Sequence, residues 1–180
     1  MIYVLLADGF EEIEALAPVD LLRRAGLTVV TVSVGEGSAV TGAHGISVTA
    51  DANISDIEGC EDAELLLLPG GMPGTTNLNA SKDVHRLIDS AVENGKRIAA
   101  ICAAPMILGE KGLLEGKNAT CYPGFEEYLS GAVSVGGRVV TDGLITTAKG
   151  AGAAVEFAVE LISLLCGAEI GERIKNGIFA

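Results

Sequence analysis

Cys102 is the residue of this sequence best placed to do chemistry. It ends the apolar run of Arg97-Ile-Ala-Ala-Ile-Cys-Ala-Ala-Pro105. Residues 97–101 read as a buried strand, Cys102 as a turn, and Ala103 onward as the first turn of a helix that Pro105 helps to open. A sharp strand-to-helix turn presents its side chain beside the free backbone N–H groups of the helix. That end carries about half a positive charge, so a thiol there is expected to be partly ionised, its pKa lowered from about 8.5 to between roughly 3.5 and 7.5. Local sequence leaves a second reading equally open, in which Cys102 is a small core residue, since free cysteine is among the most buried types.

Two further stretches carry usable groups. Pro69-Gly-Gly-Met-Pro-Gly74 follows an apolar run, and successive residues with little side chain let backbone N–H groups converge as an anion-binding nest. An ordinary strand-to-helix loop would read the same way. Asp8-Gly-Phe-Glu-Glu-Ile-Glu14 gathers acids at the start of a helix, where carboxylates favour the positive end of the macrodipole with no further role. His85 falls on the polar side of its helix and reads as a surface residue.

Composition excludes several function classes. The chain has 180 residues and a net charge of −12, from 24 acidic against 12 basic residues. With no basic stripe to offset it, that charge opposes a nucleic-acid groove. Cys60, Cys102, Cys121 and Cys166 lie far apart, without the spacing of a zinc site or a disulfide framework, so no metal is expected and a reducing, cytoplasmic setting is the simpler reading. The first residues lack a basic flank and read as a strand rather than a signal peptide. No apolar run approaches the roughly 20 residues that span a bilayer.

The elements that must position these groups follow from hydrophobic spacing. Tyr3 to Ala7, Leu27 to Val34, Glu64 to Leu68 and Arg97 to Ile101 read as buried strands. Glu11 to Ala25 reads as a helix with a kink or break near Ala17, where Pro18 interrupts it. Val40 to Ala50 suggests a hairpin or edge strand. Ser81 to Asn94 reads as a helix capped by Ser81, with Val84, Leu87, Ile88 and Val92 on its buried face. Phe125 to Ser130 is a short helix, and Thr141-Asp-Gly143 turns a late hairpin. A helix then buries Val155, Ala158, Leu161, Ile162 and Leu165, and a last one covers Glu169 to Lys175. These units describe a single α/β domain over residues 1–180, a doubly wound and mostly parallel sheet. In such folds ligands bind at the carboxyl ends of the strands. The loops expected there are Asp8 to Glu14, Pro69 to Gly74, Cys102, and Lys149 to Gly152.

Taken in order, Asp-Gly-Phe-Glu-Glu-Ile-Glu14, Leu-Pro-Gly-Gly71 and Ala-Ala-Ile-Cys-Ala-Ala-Pro105 resemble the ThiJ/PfpI superfamily, in the branch of the parkinsonism-associated deglycase. Pro-Val-Asp-Leu-Leu-Arg-Arg-Ala-Gly26 and Asp-Gly-Leu-Ile-Thr-Thr-Ala-Lys-Gly150 extend the likeness over essentially the whole chain. The resemblance implies a homodimer of flavodoxin-like subunits, related to class I glutamine amidotransferases. It implies Cys102 as nucleophile, Glu14 as the acid bonded to its sulfur, and the N–H groups of Gly71 and Ala103 as an anion hole. Gly70, Tyr122, His44 and Lys149 would line the pocket. Tyr122 stands where relatives often have a histidine, and His44 and Lys149 stand where they have arginines.

The activity implied is cofactor-free glyoxalase or deglycase chemistry on methylglyoxal, a small reactive dicarbonyl, or on its early glycated adducts. A non-enzymatic redox sensor or chaperone, with Cys102 oxidised to sulfinate and Cys121 as the nearby cysteine for a disulfide, is the alternative. A PfpI-like peptidase or amidase is the weaker one, because Ala103 rather than histidine follows Cys102.

Overall fold

The computed structural model describes all 180 residues. In chain order the elements are β1 (Ile2–Leu6), α1 (Glu12–Arg24), β2 (Val29–Ser33), β3 (Ala39–Thr41), β4 (Ser47–Thr49) and β5 (Ala52–Asn53). Then come β6 (Leu65–Leu68), α2 (Gly74–Ala80), α3 (Lys82–Glu93), β7 (Arg97–Ile101), α4 (Pro105–Glu110), β8 (Asn118–Ala119) and β9 (Val133–Ser134). The chain closes with β10 (Val139–Asp142), β11 (Ile145–Ala148), α5 (Ala154–Cys166) and α6 (Ala168–Gly177).

Seven strands form the central sheet in the order β10-β11-β7-β6-β1-β2-β5. All neighbours are parallel except β10 and β11. The chain first builds outward from β1 through β2 to β5, then returns to place β6 on the other side of β1. That reversal leaves a crevice above the carboxyl ends of β1 and β6, with β7 alongside.

The Leu65–Leu68 run is paired on both edges and buried on both faces, which is why it carries no polar alternation. Its alternate side chains divide the interior. Leu66 and Leu68 join a layer with Leu87, Ile88, Ile107 and Leu108 from α3 and α4. Leu65 and Leu67 join the opposite layer, with Leu22 of α1 and Phe157 and Leu161 of α5.

Several details depart from the sequence reading. Pro18 does not break α1, which runs as one element through a buried proline. The ring removes only the N–H that would serve the carbonyl of Glu14, and Ala15, Val19 and Leu22 bury both halves of the helix in one layer. On α3 the buried face uses Ala91, while Val92 is exposed. Ser81 does cap α3, accepting from the Val84 N–H at 3.4 Å. The short α2 has little apolar periodicity to reveal it. α4 opens at Pro105 rather than Ala103, and residues 126–128 form a single 3-10 turn. The α5 face buries Ala154 and Phe157, with Val155 and Leu165 only partly covered. The Val40–Ala50 stretch is a hairpin, with β3 and β4 antiparallel. The late hairpin pairs Asp142 with Ile145, so its two-residue loop is Gly143-Leu144, with glycine first at φ 63°.

Leu67 lies fully buried between β1 and β7. Leu67→Ala should therefore lower unfolding stability by about 2–5 kcal/mol, read as a fall in the denaturant midpoint at unchanged slope.

Candidate active site

The end of β7 sets the geometry. Cys102 has φ 66°, in the left-handed region that residues with a Cβ avoid unless the surroundings demand it. The demand comes from both sides: its N–H donates to the Ala148 carbonyl at 2.8 Å, and its carbonyl accepts from the Tyr122 N–H at 2.8 Å. Neither Gly71 nor Ala103 gives its N–H to another backbone group. Both N–H groups instead reach the Cys102 sulfur and favour its ionised form. Gly71 has φ 92°, and the Glu11 N–H donates to the Gly70 carbonyl at 2.9 Å, tying the β6 loop to the start of α1.

Glu14, in the first turn of α1, is 1% exposed. One oxygen accepts the Gly70 N–H at 3.0 Å, and the Ala151 N–H and the Cys102 sulfur complete its contacts. Burial, helped by the nearby charge of Glu11, pushes its carboxyl up to about 7 against the pull of those hydrogen bonds. The Cys102 thiol is pushed up to about 12, first by burial and then by the charge and hydrogen bond of Glu14. This corrects the expectation of a thiol lowered by the helix start. The two N–H donors do pull it down, but burial and an anionic neighbour outweigh them. The two acids compete for one proton. When Glu14 holds it, the carboxyl donates to the sulfur and the charge that opposed the thiolate is gone.

Glu11, Glu12, Glu14, His44, Gly71, Cys102, Tyr122 and their neighbours enclose a cavity of about 540 Å³. Glu12 accepts the His44 N–H at 2.8 Å, His44 Nδ1–H at 3.0 Å and the Ile46 N–H at 3.4 Å, so α1 holds the β3–β4 hairpin over the site. Burial acts to raise its pKa, but these donors win and hold it at about 2. His44 is pushed up by its bond to Glu12 and by the charges of Glu11 and Glu12. Glu11, Glu12 and His44 place three ligand atoms within 4.8 Å of one another and are the residues that could hold a cation.

Comparison with known proteins decides the affiliation. Residues 1–164 match the model of the DJ-1/PfpI family. The chain belongs to that family. It is 41% identical over 173 residues to Protein DJ-1 homolog B of Arabidopsis thaliana, covering 95% of this chain and 39% of that protein. It thus spans about two fifths of the length of that relative. A Bacillus subtilis relative named putative cysteine protease YraA is 36% identical, with 91% of this chain and 97% of that protein covered. The solved structure of oxidised Toxoplasma gondii DJ-1 superposes with a TM-score of 0.93 at 36% identity, over 99% of this chain and 97% of that one.

All of the residues nominated from sequence as catalytic or anion-binding lie within the span of the DJ-1/PfpI match, and Cys102, Glu14, Gly71 and Ala103 converge on one point. Gly70 serves Glu14 rather than the cavity, through its N–H. Tyr122 and His44 line the cavity, whereas Lys149 lines a neighbouring one. Cys121 belongs to the core layer opposite the one that Cys102 packs against, and both thiols are free. His85, half-buried, bonds the Asn79 carbonyl through Nε2 at 2.7 Å. Sequence reasoning missed Glu12 as the anchor of the hairpin and Ala151 as a donor to Glu14. The partners of Glu12 lie about thirty residues away and Ala151 lies further still, so local spacing carries no trace of either.

Two tests follow from this packing. A Cβ on Gly70 would lie 2.5 Å from a Glu14 oxygen and 2.6 Å from the Cys102 Cβ. Gly70→Ala should therefore displace Glu14 and slow alkylation or turnover at Cys102 at least about tenfold, while leaving a cooperative unfolding transition. Glu14 has a folded pKa above its unfolded value of 4.5, so its contribution to stability is full below about 4.5 and is lost as pH rises through about 7. Melting temperatures of Glu14→Gln relative to the parent should rise across that window; a difference independent of pH would refute the raised pKa.

Proposed function

We propose that this protein is a cysteine-dependent enzyme of the glyoxalase or deglycase type, acting on methylglyoxal or on its early adducts with amines and thiols. The observation that carries the reading is the buried Glu14 carboxyl, with a pKa of about 7, bonded to a sulfur that also faces two free N–H groups. An acid poised near neutrality can both give and take a proton within one cycle. Transfer of the Cys102 proton to Glu14 yields the thiolate, which adds to the aldehyde carbon. The oxyanion forms against Gly71 and Ala103 N–H and is protonated by Glu14. The Glu14 carboxylate then takes the proton from the former aldehyde carbon and returns it to the neighbouring carbonyl carbon, while the hydroxyl proton passes to the former ketone oxygen, leaving a 2-hydroxyacyl thioester. Water cleaves the thioester to release lactate and restore the thiol. For an adduct, the amine or thiol departs, protonated by Glu14, as the Cys102 sulfur takes its place on that carbon, which gives the same hemithioacetal. None of these steps calls for a cofactor.

The exposed apolar side chains of Ile13, Ile46 and Tyr122 around the cavity support a homodimer that covers its mouth. Free cysteines throughout support a reducing, cytoplasmic setting.

A second reading is a redox sensor or chaperone in which Cys102 is held as a sulfinate. The same two N–H donors and the Glu14 carboxylic acid match three acceptor positions on such a group, and a solved relative is described as oxidised. A peptidase is disfavoured because the ring of His44 is turned onto Glu11 and Glu12, leaving no histidine paired with the thiol.

Conversion of methylglyoxal to lactate by the reduced protein decides between the first two. Cys102→Ser should abolish turnover and Glu14→Gln should lower kcat by about a hundredfold or more. Turnover in the parent no greater than in Cys102→Ser would overturn the enzyme reading and leave selective peroxide oxidation of Cys102 as the activity to follow.

A further inference from the structure

Next to the Cys102 cavity lies another of opposite charge. It has a volume of about 310 Å³, is lined by Tyr122, Pro123, Arg138, Lys149 and residues 150–153, and holds two cationic side chains and no acid. The Cys102 cavity has Glu11, Glu12 and Glu14 on its wall, with His44 as its one cationic group. In a chain with twice as many acidic as basic residues, a concave surface furnished only with cations is a built feature rather than the average surface.

The two cavities are adjacent. They share Tyr122 and Ala151. Gly150 lies between them: a Cβ there would stand 3.3 Å from the Tyr122 ring and 3.8 Å from a Glu14 oxygen. The cations are fixed by the sheet. Cys102 donates its N–H to Ala148, the residue before Lys149, and the Lys149 N–H donates to the Arg138 carbonyl at 2.9 Å. Arg138 is partly neutralised by Glu156 at 2.7 Å, whereas Lys149 makes no ion pair. An unpaired ammonium beside a half-satisfied guanidinium offers point charge and hydrogen-bond donors together, a combination suited to carboxylate or phosphate oxygens.

We propose that this second cavity is a subsite for an anionic group, carboxylate or phosphate, carried by the carbonyl substrate a few atoms beyond the carbon that Cys102 attacks. The inference rests on Cys102 being the reacting group and refines the substrate class: carbonyl compounds and adducts with an anionic tail, in preference to bare methylglyoxal. The acidic wall around Cys102 sharpens the choice, because it repels an anion placed at the reacting end and leaves the Lys149 side as the favourable location.

Alkylation of Cys102 tests this without requiring turnover. The probes are haloacetamides whose amide nitrogen carries a two-carbon arm ending in phosphonate, carboxylate or hydroxyl, with the modified cysteine identified by peptide mass. At low salt the phosphonate probe should label Cys102 about fivefold faster than the hydroxyl probe, and the preference should fade at about 0.5 M salt. Lys149→Met should bring the ratio to about one with the hydroxyl rate unchanged, and Lys149→Arg should keep it. The carboxylate probe distinguishes the two tail chemistries. As a check on the unaltered protein, inorganic phosphate should slow the phosphonate probe alone. A charge preference indifferent to Lys149→Met, or phosphate slowing both probes equally, would overturn the subsite. Absence of methylglyoxal turnover with the labelling preference intact would instead count against the enzymatic reading alone.

Discussion

Glu14, buried, and Cys102, half-buried on the cavity wall, meet from the first turn of α1 and the end of β7, and two acids so placed cannot both be ionised cheaply. Much of the surrounding structure serves this constraint. The left-handed turn at Cys102 aims the sulfur at the carboxyl, and Gly70 leaves room for the two to approach. Gly71 and Ala103 keep their N–H groups clear of backbone acceptors and available to the sulfur. The proton that the pair must share becomes the one the proposed chemistry moves.

Two carboxyl groups two positions apart on α1 show how environment assigns roles. Glu12 and Glu14 are both buried, yet one is held at about 2 and the other at about 7. Glu12 receives donors from His44 and Ile46 and stays an anion that pins the hairpin. Glu14 has an acidic neighbour and a thiol, and no cation. Its pKa rises because burial is not answered by charge. Groups driven apart in this way are those that divide structural from acid–base work.

The topology explains why these groups gather where they do. Because the chain turns back after β5 to add β6 beside β1, the loops after β1, β6 and β7 open onto one crevice. The DJ-1/PfpI relatives share this frame, and the superposition on the Toxoplasma gondii structure covers nearly all of both chains. At the rim, Glu11, Glu12 and Glu14 line an acidic chamber beside one lined by Arg138 and Lys149, with Tyr122 common to both.

The strands, the class of sheet and the cysteine at a strand-to-helix turn were legible in the sequence, because apolar runs such as Leu65–Leu68 and the small residues after Cys102 act through their nearest neighbours. The motif likeness added Glu14, Gly71 and Ala103. Local reading failed where long-range packing decides. Pro18 costs α1 only one hydrogen bond, and its continuity depends on a buried face that no window of sequence displays. The ionisation of Cys102 follows from what buries it and from a carboxyl eighty-eight positions earlier, rather than from the helix end beside it. Composition and spacing thus determined by themselves the main buried strands, the longer helices and which thiol stood at a turn. Only the tertiary structure decided its protonation, the packing of Cys121 into the opposite core layer and the pairing of opposite-charge cavities, since electrostatics and burial depend on distance in space and not along the chain.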